Sequence, residues 1–247
     1  MSPAKRAARA GRVAWVLTCE HASCAVPRDY RGLGVPRAAI RDHVGWDIGA
    51  HGVQLEVVRR LRVPHAASRW SRLLIDCNRD LDDESLIVAV SDGVVVPANE
   101  RLSAAERRRR IALAHTPYHT AVDRMLLRAK RRNPDAAVQI LALHSFTSVL
   151  NGVRRPFDIG VLFDAYPVLA RQLGRALARQ GYRVRYNEPY SGLAGLIYSA
   201  RRHGDAHDVA YVELEINNAL LRSRANVARM GRDVARALAE LTRPCKR

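Results

Sequence analysis

The stretch 16–24, VLTCEHASC, ends an apolar run at Thr18 and then sets a carboxylate, Glu20, beside an imidazole, His21, between two cysteines. Three readings suit these residue types: a metal site through His21, a thiol site through Cys19 or Cys24, or only the polar end of a buried strand. A second apolar run, 137–143, ends in His144 and Ser145. Asp76, Asn78 and Arg79 follow Leu73–Ile75, and Asn187 and Glu188 follow 182–186. Glu213 and Glu215 are alternate residues within 209–216, so on a strand they share a face. In open α/β sheets ligands bind beyond the carboxyl ends of the strands, where such residues converge. Two imidazoles and a carboxylate would form a mixed nitrogen and oxygen set, which suits zinc with an open position. A metal there would acidify water, and a further carboxylate could take the proton.

Two other groupings compete. His43, Asp47 and His51 are spaced by four, as are His115, His119 and Asp123. On a continuous helix each set shares one face and could chelate a metal, although a solvated face is the plainer reading. Pro117 interrupts the second set. Nucleophilic catalysis has less support: Ser145 lies in no G-x-S-x-G elbow, and the four cysteines form no C-x-x-C pair. The sequence has neither a P-loop nor G-x-G-x-x-G, so nothing points to a nucleotide.

The elements that must position these residues alternate along the chain. Val13–Cys19, Leu73–Cys77, 137–143, 159–163, 182–186 and 209–216 read as strands. Helices are expected over Trp46–Leu61, Ser103–Arg132, Pro167–Gln180 and Asn218–Leu241. Ser103 and Glu106 have capping-box spacing, Pro117 should kink or break its helix, and Gly181 suits a helix end. Asp80–Leu102 reads as a long excursion. The alternation predicts an α/β fold with a largely parallel, mixed sheet flanked by helices. One domain is expected over 12–247, after a basic flexible tail at 1–11.

Lys plus Arg is 41 against 24 acids, a net charge of +17, and only three of the 41 are Lys. Such a field draws polyanions. The arginines are scattered, however, and aromatics are only 6%, which leaves little to stack on bases. A compositional bias towards Arg is the simpler reading, with a basic polyanion-binding protein as the rival. The apolar stretch before Glu20 is too short for a typical signal sequence, and no apolar run reaches membrane-spanning length. The expectation is a cytoplasmic protein without membrane contact. Oligomeric state is not legible.

Several short blocks, in order, resemble the N-formylglutamate amidohydrolase family. They include EHAS at 20–23, DIGA from Asp47, SRLLIDCNRD at 71–80, TPYH at 116–119, LHSFT at 143–147, RPFDIGVL at 155–162, NEPYSG at 187–192 and ELEIN at 213–217. The resemblance spans about Val16 to Leu221. It implies a zinc-exopeptidase-type, phosphorylase/hydrolase-like fold and metal-dependent cleavage of the amide of an N-acyl amino acid, N-formylglutamate in the type activity. It further implies one zinc ion on His21, Asp47 and His144, with Glu215 as the general base. The substrate's carboxylates would be met by Arg72, Arg79 and Arg155, with His119, Asn187 and Tyr190 as further substrate contacts. The blocks EHAS and ELEIN differ from the PHSG and QLEM of the histidine-degradation enzymes. A zinc deacylase or carboxypeptidase-like enzyme on a different acyl or peptide substrate is the alternative.

Overall fold

The structure is a computed structural model that describes residues 12–150 and 152–242. The tail expected at 1–11 lies outside the described residues. In chain order the elements are β1 (Arg12–Cys19), α1 (Arg37–Ile40), α2 (Ala50–Leu61), β2 (His65–Ala67), β3 (Val90–Ser91), β4 (Val94–Val95), α3 (Ala104–Arg110) and α4 (Thr116–Arg132). There follow β5 (Ala136–Phe146), β6 (Val149–Leu150), β7 (Val153–Arg154), β8 (Ile159–Leu162), α5 (Pro167–Ala178), β9 (Val184–Tyr186), α6 (Tyr198–His207), β10 (Ala210–Asn217) and α7 (Arg224–Thr242).

Six strands form the main sheet in the order β2-β1-β5-β10-β8-β9. The first four run parallel, whereas β8 pairs antiparallel with β10 and parallel with β9. The sheet is thus mixed and mostly parallel, as the alternation predicts. Strand alternation sorts the side chains between two cores. Leu17, Leu141, Leu143, Val212, Leu214 and Ile216 pack with residues of α2, α5 and α7. Val16, Ile140, Ala142 and Tyr211 pack with Tyr118, Val122 and Leu126 of α4 and Ala200 of α6.

Several expectations are corrected in detail. Leu73–Cys77 is not a strand but a run of turns, held by Leu74 N–H to the Ser71 carbonyl and Asp76 N–H to the Leu86 carbonyl. Its three apolar residues fill a separate core with Leu33, Ile40, Leu86 and Val96. An apolar run records burial, not strand geometry. The expected helix from Trp46 begins only at Ala50, after Gly49 takes a left-handed φ of 83°. A Cβ on Gly49 would stand 2.6 Å from the Leu221 Cβ. Asp47 therefore precedes the helix, with its N–H on the His21 carbonyl. His43 pairs instead with Asp42 and Asp92, and His51 with Gln54, so the first spaced set does not form.

Ser103 caps α3 by accepting from the Glu106 N–H at 3.2 Å. Pro117 does not break the long helix. A π-helical turn, Ile111–His115, precedes it, and α4 continues with the proline in its first turn, where its missing N–H costs least. The excursion 80–102 folds back through the β3–β4 hairpin, whose turn residues Asp92 (φ 44°) and Gly93 (φ 76°) have the left-handed backbone that tight hairpins need. A 3-10 turn, Asn218–Leu221, precedes α7 where one unbroken helix is expected. Among the described residues no helix is long and apolar enough to cross a membrane.

Candidate active site

The carboxyl ends of β1, β5 and β10 meet, because their register aligns Thr18 with Ala142 and His144 with Glu215. His144, Glu213 and Glu215 point to the α4–α6 side of the sheet and are buried. His21 follows β1, and Asp47 comes from the loop pinned to it.

His144 Nδ1 lies 3.2 Å from His21 Nδ1 and 2.8 Å from Asp47 Oδ2, which is 3.4 Å from His21 Nδ1. Three buried donor atoms thus face one another. The outer nitrogen of each ring meets another carboxylate: His21 Nε2 is 2.7 Å from Asp76 Oδ1, and His144 Nε2 is 2.9 Å from Glu20 Oε2. Those carboxylates are braced in turn. Tyr118 Oη donates to Glu20 Oε1 at 2.6 Å, and Arg72 Nη2 donates to Asp76 Oδ2 at 2.7 Å.

The charges follow this wiring. Burial opposes ionisation of Glu20, but hydrogen bonds from His144 and Tyr118 outweigh it and hold the carboxyl at about 2. Asp47 and Asp76 are likewise held low against burial, Asp47 by the two histidines and Asp76 by Arg72 and His21. Burial disfavours charge on His144, yet Glu213, Asp47 and Glu20 raise it well above the usual imidazole value. Glu213 is pushed up to about 7, chiefly by burial. Glu215 is raised too, by burial and by the charges of Asp47 and Glu213. Among the described residues, Glu213 Oε2 and Glu215 Oε2 have no hydrogen-bond partner.

This donor set fits a divalent metal. Two imidazole nitrogens in contact share one carboxylate oxygen, three ligands leave a coordination position open, and each ring is oriented from outside by a carboxylate. Glu215 Oε2, which has no partner, and Glu213 Oε2, 3.6 Å from His144 Nε2, would both be offset by a cation held in this site.

The model of the N-formylglutamate amidohydrolase family matches residues 13–222. The chain belongs to that family. The family makes it an amidohydrolase, an enzyme that cleaves carbon–nitrogen bonds other than peptide bonds. The fold is similar to the crystal structure of gene product Atu2144 from Agrobacterium tumefaciens, at 29% identity and a TM-score of 0.85, covering 96% of this chain and 93% of that one. It is also similar to N-formylglutamate amidohydrolase from Ralstonia eutropha JMP134, at 23% identity and a TM-score of 0.72, covering 94% and 93%. No curated protein matches the chain.

In this amidohydrolase the sequence-expected residues fall into three groups. His21, Asp47, His144 and Glu215 come together as described. Arg72, Arg155 and Tyr190 stand around them: Arg72 is 3.9 Å from Asp47 Oδ1 and 28% exposed, and its charge acts on Glu215. The Arg155 guanidinium carbon sits 5.2 Å from the centre of the Tyr190 ring, and Glu215 acts on the Tyr190 hydroxyl. Asn187, Arg79 and His119 are committed elsewhere. Asn187 Oδ1 accepts from the Phe163 and Gly192 N–H groups, which holds the strap carrying Tyr190. Arg79 donates to Ser85 Oγ and the Asn78 carbonyl. His119 places both ring nitrogens against other histidines, His203 at 2.8 Å and His115 at 3.2 Å. Burial, with repulsion from His115, Arg202 and His203 where they carry charge, lowers it to about 2.

Sequence reasoning assigns no role to Tyr118 and leaves Glu20 and Asp76 open. Glu20 and Asp76 are signalled by the apolar runs they follow, and all three by their places in the blocks TPYH, EHAS and SRLLIDCNRD. The thiol reading of 16–24 loses support: Cys19 is buried, and burial raises its thiol well above the ordinary value.

Proposed function

We propose that this chain hydrolyses the amide of a small anionic N-acyl amino acid, N-formylglutamate being the nearest named substrate, with one zinc ion held by His21, Asp47 and His144. The observation that carries the reading is the meeting of two imidazole Nδ1 atoms and Asp47 Oδ2 beside the unpaired carboxylate of Glu215. The bound ion would supply Lewis acidity, polarising the amide carbonyl and acidifying water.

The chain's own residues do the rest. Glu215 takes a proton from the attacking water and returns it to the departing amine nitrogen as the carbon–nitrogen bond breaks. Glu215 Oε2, which has no hydrogen-bond partner, is available to take that proton and hand it on. Glu215 is chosen over Glu213 because its charge acts with those of the substrate-side residues Arg72 and Tyr190, whereas Glu213 Oε2 lies 3.6 Å from His144 Nε2. Arg155 and the free edge of Arg72 meet the substrate's carboxylates, since a planar guanidinium binds carboxylate with two parallel hydrogen bonds. Tyr190 packs against the Arg155 guanidinium. Asn187 acts on the substrate through the strap it pins, and Arg79 and His119 through the shell around Asp76 and Glu20.

The test is a panel of N-acyl amino acids, acidic and neutral, assayed before and after chelation. Acidic N-formyl amino acids should turn over fastest, and activity should vanish with chelator and return with Zn2+. Full turnover after metal is stripped, or a preference for neutral substrates, would overturn the reading.

A further inference from the structure

The second spaced histidine set has a different outcome from the one its sequence suggests. His115 and His119 do not chelate with Asp123. Instead Asp123 of α4 meets two residues of α6, His203 and His207, which lie four apart and therefore on one helix face. His203 Nδ1 and His207 Nε2 each stand 2.8 Å from the same oxygen, Asp123 Oδ1. The three donor atoms lie within 4.8 Å of one another. Two nitrogens and one carboxylate oxygen, with two imidazoles supplied by one turn of helix, form a donor set for zinc and its neighbours.

The surroundings are arranged as a ligand histidine requires. The His203 side chain is 1% exposed, and its other nitrogen, Nε2, lies 2.8 Å from His119 Nδ1. The line continues from His119 Nε2 to His115 Nε2 at 3.2 Å. When His203 Nδ1 gives its lone pair to a metal, the ring's hydrogen sits on Nε2 and is donated to His119 Nδ1; His119 Nε2–H then meets His115 Nε2, which releases the Arg79 carbonyl 3.1 Å away, so metal binding carries a change of tautomer along the line. The opposite side is open. Asp123 is 39% exposed and His207 12%, which gives an ion a path in and leaves room for water ligands. None of the three residues belongs to the His21–Asp47–His144 group.

We propose that Asp123, His203 and His207 form a second divalent-cation site, selective for Zn2+ and similar nitrogen-preferring ions, that staples α6 to α4. It is separate from the catalytic ion and does not depend on that assignment. By fixing α4 it steadies the helix that carries Tyr118 to Glu20.

Metal-stripped full-length protein is incubated with excess Zn2+, freed of unbound ion by gel filtration and analysed for zinc, with thermal unfolding measured alongside. The parent chain should hold one more equivalent than either His207→Ala or Asp123→Asn. Zinc should raise the unfolding midpoint of the parent by more than that of the variants, because an ion bound only to the folded state stabilises it. The comparison separates the two sites: if the catalytic ion is absent, the parent holds one equivalent and the variants none. Circular dichroism confirms that both variants fold, and Asp123→Asn preserves side-chain shape. Equal zinc content in the parent and both folded variants would overturn the proposal.

Discussion

At the scale of single residues, chemistry depends on which atom of a side chain faces which partner. Glu215→Gln keeps the volume and removes the base, so metal content should be unchanged while kcat falls by ~10²–10⁴-fold, the usual contribution of a positioned acid or base. Metal analysis beside steady-state kinetics checks this, and normal turnover would exclude Glu215. Asp76→Asn leaves the donor atoms in place but weakens the carboxylate that orients His21. Metal affinity should drop by ~10–100-fold, as for other partners of ligand histidines; competition with a chromophoric chelator measures it. His21, His144 and Glu215 were legible because each ends or lies within an apolar run that must end at a sheet edge. Glu20 and Asp76 were not, since a carboxylate that binds metal and one that binds the back of a histidine look alike in sequence. Only the ring nitrogen that each approaches distinguishes them.

At the scale of elements, Gly160 is the tightest point near the active site. A Cβ there would stand 1.9 Å from the Glu188 carbonyl oxygen and 3.3 Å from the Glu215 Cβ. Gly160→Ala should therefore cost about 1–3 kcal/mol, as for other overpacked positions, lowering the melting point by ~2–4 °C per kcal/mol in a chain of this size. KM should rise as Tyr190 is displaced. Calorimetry and substrate saturation test both, and a variant with unchanged Tm and KM would show that the strap does not depend on this contact. The strands β1, β5 and β10 were legible from long apolar runs. Leu73–Ile75 misled because a buried loop is apolar too. Helix α6 escaped notice because the face it buries is made of Ser199, Ala200, His203 and Gly204, which lack the large apolar side chains that mark a helical stripe. Its partner α4 was legible, but its π-helical turn was not.

At the scale of the whole molecule, the charge of +17 is the feature that most invites another function. The arginines are scattered along the sequence, so the excess charge is expected to act as a diffuse field for small anions rather than as a polyanion site. Binding to mixed-sequence DNA or RNA should be undetectable at near-physiological salt by fluorescence anisotropy. Tight binding with a steep salt dependence would instead mark a polyanion partner. The fold class was readable at this scale, but the reversed direction of β8 and β9 was not, because strand polarity leaves no trace in an apolar pattern. That reversal divides the labour between two parts of the chain. The parallel strands β1, β5 and β10 carry or lead into His21, His144 and Glu215, whereas Arg155 and Tyr190 belong to the loops flanking the reversed pair. On the proposed assignment, substrate preference set by Arg155 and Tyr190 could change at one margin of the sheet while His21, His144 and Glu215 stay in place.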